Sequence, residues 1–154
     1  MPIFLKIPNV AGESTAIGFT GQFKAEALLW GGHSVLVGGV KPTLNTTLNA
    51  VSVSKSATIN SPTLMLLMMN QKNLGSVVIT ITKDVNTKNL PAQVYTLSGA
   101  YLSGYSQASD SQIPSETLTF VFSRITYQQI YYTMAGVKTG EETHYWDVVA
   151  KQGG

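Results

Sequence analysis

The sequence contains no cysteine, which excludes disulfides, thiolate metal ligands and a cysteine nucleophile together. Charge is scarce as well: Asp, Glu, Lys and Arg make up 12% of the chain, about half the ~25% of an ordinary soluble protein. The surface must therefore be built from Ser, Thr, Asn, Gln and Gly. With few like charges to hold copies apart, such a surface favours packing of the protein against itself. Arginine occurs once, at Arg124, and nine lysines are scattered from Lys6 to Lys151 without a run or stripe. That pattern argues against nucleic acid as a partner, because phosphate neutralisation needs clustered cations. Long hydrophobic runs are also missing. The longest, Leu64 to Met69, has six residues, against the ~20 of a bilayer-spanning helix, so no membrane insertion is expected. The opening MPIFLKIPNVAGES has no basic segment leading into a long apolar run. It predicts no secretory signal peptide, and the chain is read as made soluble in the cytoplasm.

What is present centres on Asn60 to Ile81, NSPTLMLLMMNQKNLGSVVITI. Asn60 or Ser61 is placed to cap a helix, since its side-chain oxygen would accept an amide hydrogen left unpaired in the first turn, and Pro62 suits the first helical position. The pattern predicts a short helix over about residues 61–72. From Leu64 to Met69 every residue is apolar, and successive positions at ~100° encircle the helix, so it has no solvent face. A short helix on a small domain lays one face on its own core. The other is then expected to meet another subunit, unless the helix plugs the middle of its own fold; Leu64, Leu67 and Met68 are the candidate interface or core residues.

The 154 residues suffice for one domain with a real core, and residues 1–154 are read as one. Ile3, Leu5 and Ile7 alternate with Phe4 and Lys6, the period of a half-buried strand that Pro8 ends. Phe23, Ala25, Ala27 and Leu29 share a face of a second strand, broken by Gly31 and Gly32. An extended loop is expected over about residues 31–47, low in charge yet carrying Val35, Leu36, Val37 and Val40; loops of that length in compact domains are usually functional. Val51 and Val53 open a short strand before the helix, Val77, Ile79 and Ile81 one after it, and KDVNTKNLPA reads as a turn. Two long strands then change phase. Tyr95 and Leu97 give way past Gly99 to Ala100 and Leu102, and Leu118, Phe120 and Phe122 give way to Ile125 and Tyr127. A phase change within a strand predicts a β-bulge, and bent strands close a sheet into a barrel, with Gly99 as the expected kink. A last strand is read around His144 to Ala150. The tally, about seven strands and one helix, is a mostly-β barrel or sandwich.

The ionisable set is thin for an enzyme: His33, His144, Asp84, Asp110, Asp147 and five Glu. His144 and Asp147 stand three apart on the expected strand and point to opposite faces, so they form no ligand pair. There is no GxSxG elbow, and Gly31 to Gly39 is not followed by a phosphate-binding GK[ST]. Asn45, Thr46 and Thr47 match a glycosylation acceptor by spacing alone. The reading is therefore no enzyme, no cofactor and no metal. A β-barrel module binding a sugar or lipid remains an alternative, with Tyr95, Tyr101, Tyr105, Tyr127, Tyr131 and Tyr132 available for stacking, although sheet and interface aromatics explain them more simply.

Several segments together carry a family likeness. The opening FLKIPNVAGES, the LLWGG of Leu28 to Gly32, and the central SVSKSATINSPTLMLLMMNQK come in order, followed by AYLSGYS, ETLTFVFSRITYQQ and the aromatic pair Tyr145 and Trp146. In this order and spacing they resemble the hemolysin-coregulated proteins, which form the inner tube of bacterial type VI secretion systems. The chain departs from the pattern in Leu29 before the Trp and in a loop without the usual charges. The resemblance implies a β-barrel of two antiparallel sheets flanked by one helix, and a structural subunit whose homohexameric rings stack into a tube inside a contractile sheath. It also implies spike and sheath proteins as partners, effector proteins in the lumen, and secretion to the extracellular space or a target cell. On this reading the loop residues Val35, Leu36, Val37 and Val40 govern ring stacking. A tail-tube protein of a phage or other contractile particle is the alternative with the same architecture.

Overall fold

The structure is a computed structural model that describes residues 2–37, 43–109 and 112–154, with backbone only for residues 36, 37 and 43–45. The described chain begins with β1 (Ile3–Lys6), β2 (Phe23–Ala25), β3 (Ala27–Leu29), β4 (Gly32–Val37), β5 (Thr43–Leu48) and β6 (Val51–Ser56). After the helix α1 (Ser61–Met69) come β7 (Gly75–Val85), β8 (Lys88–Ala108), β9 (Ser115–Val121), β10 (Arg124–Tyr132), β11 (Lys138–Asp147) and β12 (Gln152–Gly153). Two antiparallel sheets share β8. One runs β12-β11-β10-β8-β7-β1-β2, and the other runs β3-β6-β9-β8.

The two sheets are joined where the chain itself bends. Up to Ser98, β8 pairs with β7 and β10; from Tyr101 it pairs with β9. The change falls at Gly99, as expected, with φ of +60°, a conformation open to glycine at little cost. Beside it the chain crosses in the opposite sense between β9 and β10, where the Ser123 N–H and Oγ both donate to the Ser98 carbonyl at 2.9 and 3.0 Å. The segment from Leu118 to Tyr127 is thus two strands in two sheets and not one bulged strand. The opposite corner lies at Glu26, whose N–H donates to the Ser54 carbonyl at 2.7 Å. This bend splits the expected strand over Phe23 to Leu29, so Phe23 is buried while Leu29 is 74% exposed. The product is two antiparallel sheets joined at these bends, without a closed barrel among the described residues, around a core that includes Leu5, Phe23, Val53, Leu64, Ile79, Leu97 and Phe120.

Other boundaries moved for local reasons. β1 is buried on both faces at its centre, because Phe19 from the following loop stacks on Phe4 at 4.2 Å. The turn read into KDVNTKNLPA shrinks to Asn86 and Thr87, with φ of 50° and 66°, between the paired residues Val85 and Lys88. Two successive positive φ values match the right-handed twist of the flanking strands. The last long strand begins at Lys138, well before His144. Within the extended loop expected over residues 31–47, the described residues form two strands, β4 and β5, which pair antiparallel from Gly32↔Leu48 to Val37↔Thr43.

The helix ends at Met69 because Gln71 turns left-handed, with φ of 51°. The Gln71 N–H then donates to the Met68 carbonyl and the Lys72 N–H to the Leu67 carbonyl, which together satisfy carbonyls the last turn leaves free. At the other end Asn60 makes no side-chain cap; its amide reaches away to the Ala11 carbonyl. Among the described residues no helix is long and apolar enough to cross a membrane.

Candidate assembly surfaces and a buried charge cluster

α1 lies against β8 and sends Leu64 into the core, fully buried, with Leu67 and Met68 partly buried against it. Its far side stays uncovered: Met65, Leu66 and Met69 are 37, 53 and 61% exposed. The helix is thus core on one side and apolar surface on the other, so the sequence candidates Leu64, Leu67 and Met68 fall on its inner side. The apolar surface continues onto the sheet through Tyr101 and Val121, which border a cavity of about 580 Å³ together with Met68, Gln71, Leu102 and Ser103.

The second surface is the β4–β5 hairpin. Val35 is half exposed on it, and Ser34 and Thr46 share a hydroxyl hydrogen bond of 2.9 Å across the pair. Val40 lies outside the described residues, and the side chains of Leu36 and Val37 are likewise outside what the structure describes. At the hairpin base, Trp30 and Leu48 meet Ile125, Tyr127, Tyr145 and Trp146 around an apolar cavity of about 280 Å³. The two expectations for α1 and the hairpin therefore concern different residues, with Val121 bordering both the cavity beside α1 and a smaller one at Leu48 and Asn49.

In the interior lies a polar cluster that the sequence reading passed over. Val51, Val53 and Lys55 are successive inward positions of β6, and Lys55 is as buried as the two valines. Its Nζ pairs with Glu116 Oε1 of β9 at 2.5 Å, both side chains being fully buried. The same Nζ donates to the Ser56 carbonyl at 3.0 Å and reaches Thr58 Oγ1 at 3.5 Å, and it stands 4.8 Å from the centre of the Phe23 ring. The Tyr105 hydroxyl donates to Glu116 Oε2 at 2.5 Å. Burial, and then the adjacent Glu116 carboxylate, push the Tyr105 hydroxyl up to about 12, while an interaction with Ser61 opposes them. The signal was available: the period of Val51 and Val53, carried two residues further, puts Lys55 inside, and in the β9 register Glu116 stands opposite.

The remaining ionisable groups do not converge. His33 sits on β4 opposite Thr47. His144 accompanies Glu142, two residues away on the same face of β11, with Nε2 2.9 Å from Glu142 Oε1 and Nδ1 3.3 Å from the Gly154 carbonyl. That contact, first the carboxylate and then the carbonyl, raises the His144 pKa. Asp147 instead accepts from the Ala150 N–H, which with Arg124 holds its carboxyl below the usual range. Asp110 lies outside the described residues. Among the described residues no three His, Asp or Glu side chains are grouped to hold a metal ion. The tyrosines considered for sugar stacking are dispersed as well: Tyr95 and Tyr127 pack on each other at 4.7 Å, Tyr105 serves Glu116, Tyr132 donates to the Pro91 carbonyl, and Tyr131 is largely exposed.

Comparison with known proteins places this architecture. Among solved structures, one described as a type six secretion system protein matches with a TM-score of 0.90 at 17% identity, covering 99% of both chains. An Hcp protein from Salmonella typhimurium matches with a TM-score of 0.81 at 19% identity, over 99% of this chain and 97% of that one. A type VI secretion system effector from Yersinia pestis follows with a TM-score of 0.77 at 16% identity, over 95% and 99%. No curated protein sequence matches. The family model described as "Type VI secretion system effector, Hcp" matches residues 4–129. That match takes in β2 to β9, α1 and the buried cluster, and the chain belongs to the Hcp family of the type VI secretion system.

Proposed function

We propose that this chain is a structural tube subunit of a type VI secretion system, acting as one domain over residues 1–154. Six copies close into a ring, rings stack into a tube that carries effector proteins in its lumen, and sheath and spike proteins surround and cap it. The single observation that carries the reading is the family match over residues 4–129. Two features of the chain support it. Only 12% of residues are charged, so copies repel one another weakly. The outer side of α1, with Leu66 and Met69 more than half exposed, leaves in the lone chain an apolar face that self-association would cover. The role is mechanical, without catalysis or a cofactor: copies assemble in the bacterial cytoplasm and leave the cell with the tube.

Val35, Leu36, Val37 and Val40 of the hairpin region are assigned to stacking between rings. Leu64, Leu67 and Met68 are assigned to seating α1, whose outer side meets a neighbouring copy. Negative-stain images and light scattering of the purified protein test the reading directly. Rings of six subunits are expected, and a monodisperse monomer at all concentrations would overturn it.

A further inference from the structure

We propose that the buried Lys55–Glu116–Tyr105 cluster is a positioning device: it fixes how α1 is rotated and seated on the sheets, and hence which apolar face α1 presents for assembly. The link to assembly rests on the tube-subunit reading; the seating of α1 does not.

The need for such a device follows from α1 itself. Leu64 to Met69 is apolar on every side, so many rotations of the helix would bury nearly the same area, and non-directional burial cannot choose among them. Helix capping does not choose either, since the Asn60 side chain is committed to Ala11. Apart from that contact, side-chain bonds at the helix start run back to Lys55. Lys55 holds the Ser56 carbonyl and Thr58 Oγ1 in the turn before α1, and the Thr58 N–H donates to Ser61 Oγ at 2.9 Å. Tyr105, on the strand beneath the helix, holds the second oxygen of Glu116. Lys55 of β6, fixed by β9 and β8 through Glu116 and Tyr105, thus anchors the turn that leads into the first residue of α1. A rotation that carried this turn away from Lys55 would take acceptors from a buried ammonium, whereas sliding apolar groups past one another costs little. Stability alone does not account for the pair, because apolar residues of similar volume commonly replace a buried ion pair without loss.

The test is a triple replacement, Lys55→Met, Glu116→Leu and Tyr105→Phe, which keeps volume and removes every charge and hydroxyl of the cluster. The variant is expected to fold and melt cooperatively, while the Met65, Met68 and Met69 methyl resonances split or broaden and the ring population is lost. One sharp set of methyl resonances at the native positions would overturn the proposal whatever happens to assembly. Split resonances with rings intact would overturn the link to assembly alone. Failure of the unmodified protein to form rings would overturn the tube reading, leaving the methyl spectrum to judge the seating. Ser61→Ala alone covers the case of a triple variant that does not fold, since it cuts the Thr58–Ser61 link and leaves the charged cluster in place. Its expected signature is amide exchange in α1 faster by about fivefold, the worth of one neutral hydrogen bond, with β6 and β9 unchanged. Equal acceleration in all three elements would overturn the positioning role.

Discussion

Gly99 turns β8 from one sheet into the other, and two separate constraints keep it a glycine. Its φ is +60°, and a Cβ there would stand 2.6 Å from Ser123 Oγ, the hydroxyl that bonds the Ser98 carbonyl at the same corner. Gly99→Ala is expected to cost about 1–2 kcal/mol from backbone strain, with more from the displaced hydroxyl. Urea denaturation measures the loss. Adding Ser123→Gly should recover the steric part only, and full recovery would show that the backbone there is unstrained. At the buried cluster, Glu116→Ala leaves the Lys55 ammonium without its partner at zero exposure, and is expected to cost about 3–5 kcal/mol in the same assay. The His144 contact acts at the surface and through pH. Because Glu142 and the Gly154 carbonyl raise its pKa above 6.5, the folded state holds the proton more tightly than the unfolded chain. The stabilisation is therefore complete below the unfolded value and disappears as pH rises through the raised one. His144→Gln should flatten that part of the stability profile, and an NMR titration of His144 that shows no upward shift would contradict the assignment.

At the scale of elements, α1 is the sharpest case for mutation. Leu67 sits half inside, packed against the core beside Leu64 and Met68. Leu67→Asp forces a carboxylate into a site with no cation on α1 to meet it, since the helix carries no charged residue. Loss of roughly 2–4 kcal/mol and of ring formation is expected, read by thermal melts and light scattering; a stable mutant ring would contradict it. The existence of α1 was legible from Ser61, Pro62 and the apolar run, but its last turn was not: the stop is a left-handed Gln71, a residue type that gives no such signal. The kink at Gly99 was legible because only glycine accepts that φ cheaply. The parallel break at Ser123 was misread as a bulge, since a single-residue phase change looks the same whether a strand bends or ends. The β4–β5 hairpin escaped notice because β5, TLNTTL, has only Leu44 and Leu48 to mark a strand period and its partner is flanked by glycines. Lys55 was hidden by its chemistry, not its position: its phase was inward, but a lysine is expected outside until its carboxylate partner is placed by long-range pairing.

For the whole molecule the deciding structure is the hairpin. Among the described residues β4 and β5 pair only with each other, apart from the two sheets, and an isolated two-stranded ladder is marginal in water. Its pairing is extended at the base by the Asn49 N–H donating to the Gly31 carbonyl at 2.8 Å, while Val35 remains half exposed. Such an arm gains most of its stability from whatever covers it, which on the stacking role proposed for it would be the adjoining ring. α1 presents its apolar side through other residues, Met65, Leu66 and Met69, so the two surfaces can be mutated independently. Replacing Val35, Leu36 and Val37 by Ser removes three apolar side chains, each worth about 1.5–3 kcal/mol when fully buried, and ring symmetry repeats the loss at every subunit. The expected outcome is rings of unchanged mass by size exclusion with light scattering, and no tubes in a secretion assay. Normal secretion would show that the hairpin does not hold rings together. Collapse to monomers would instead place ring closure on the hairpin, and would move the division of labour from two surfaces of the molecule to one.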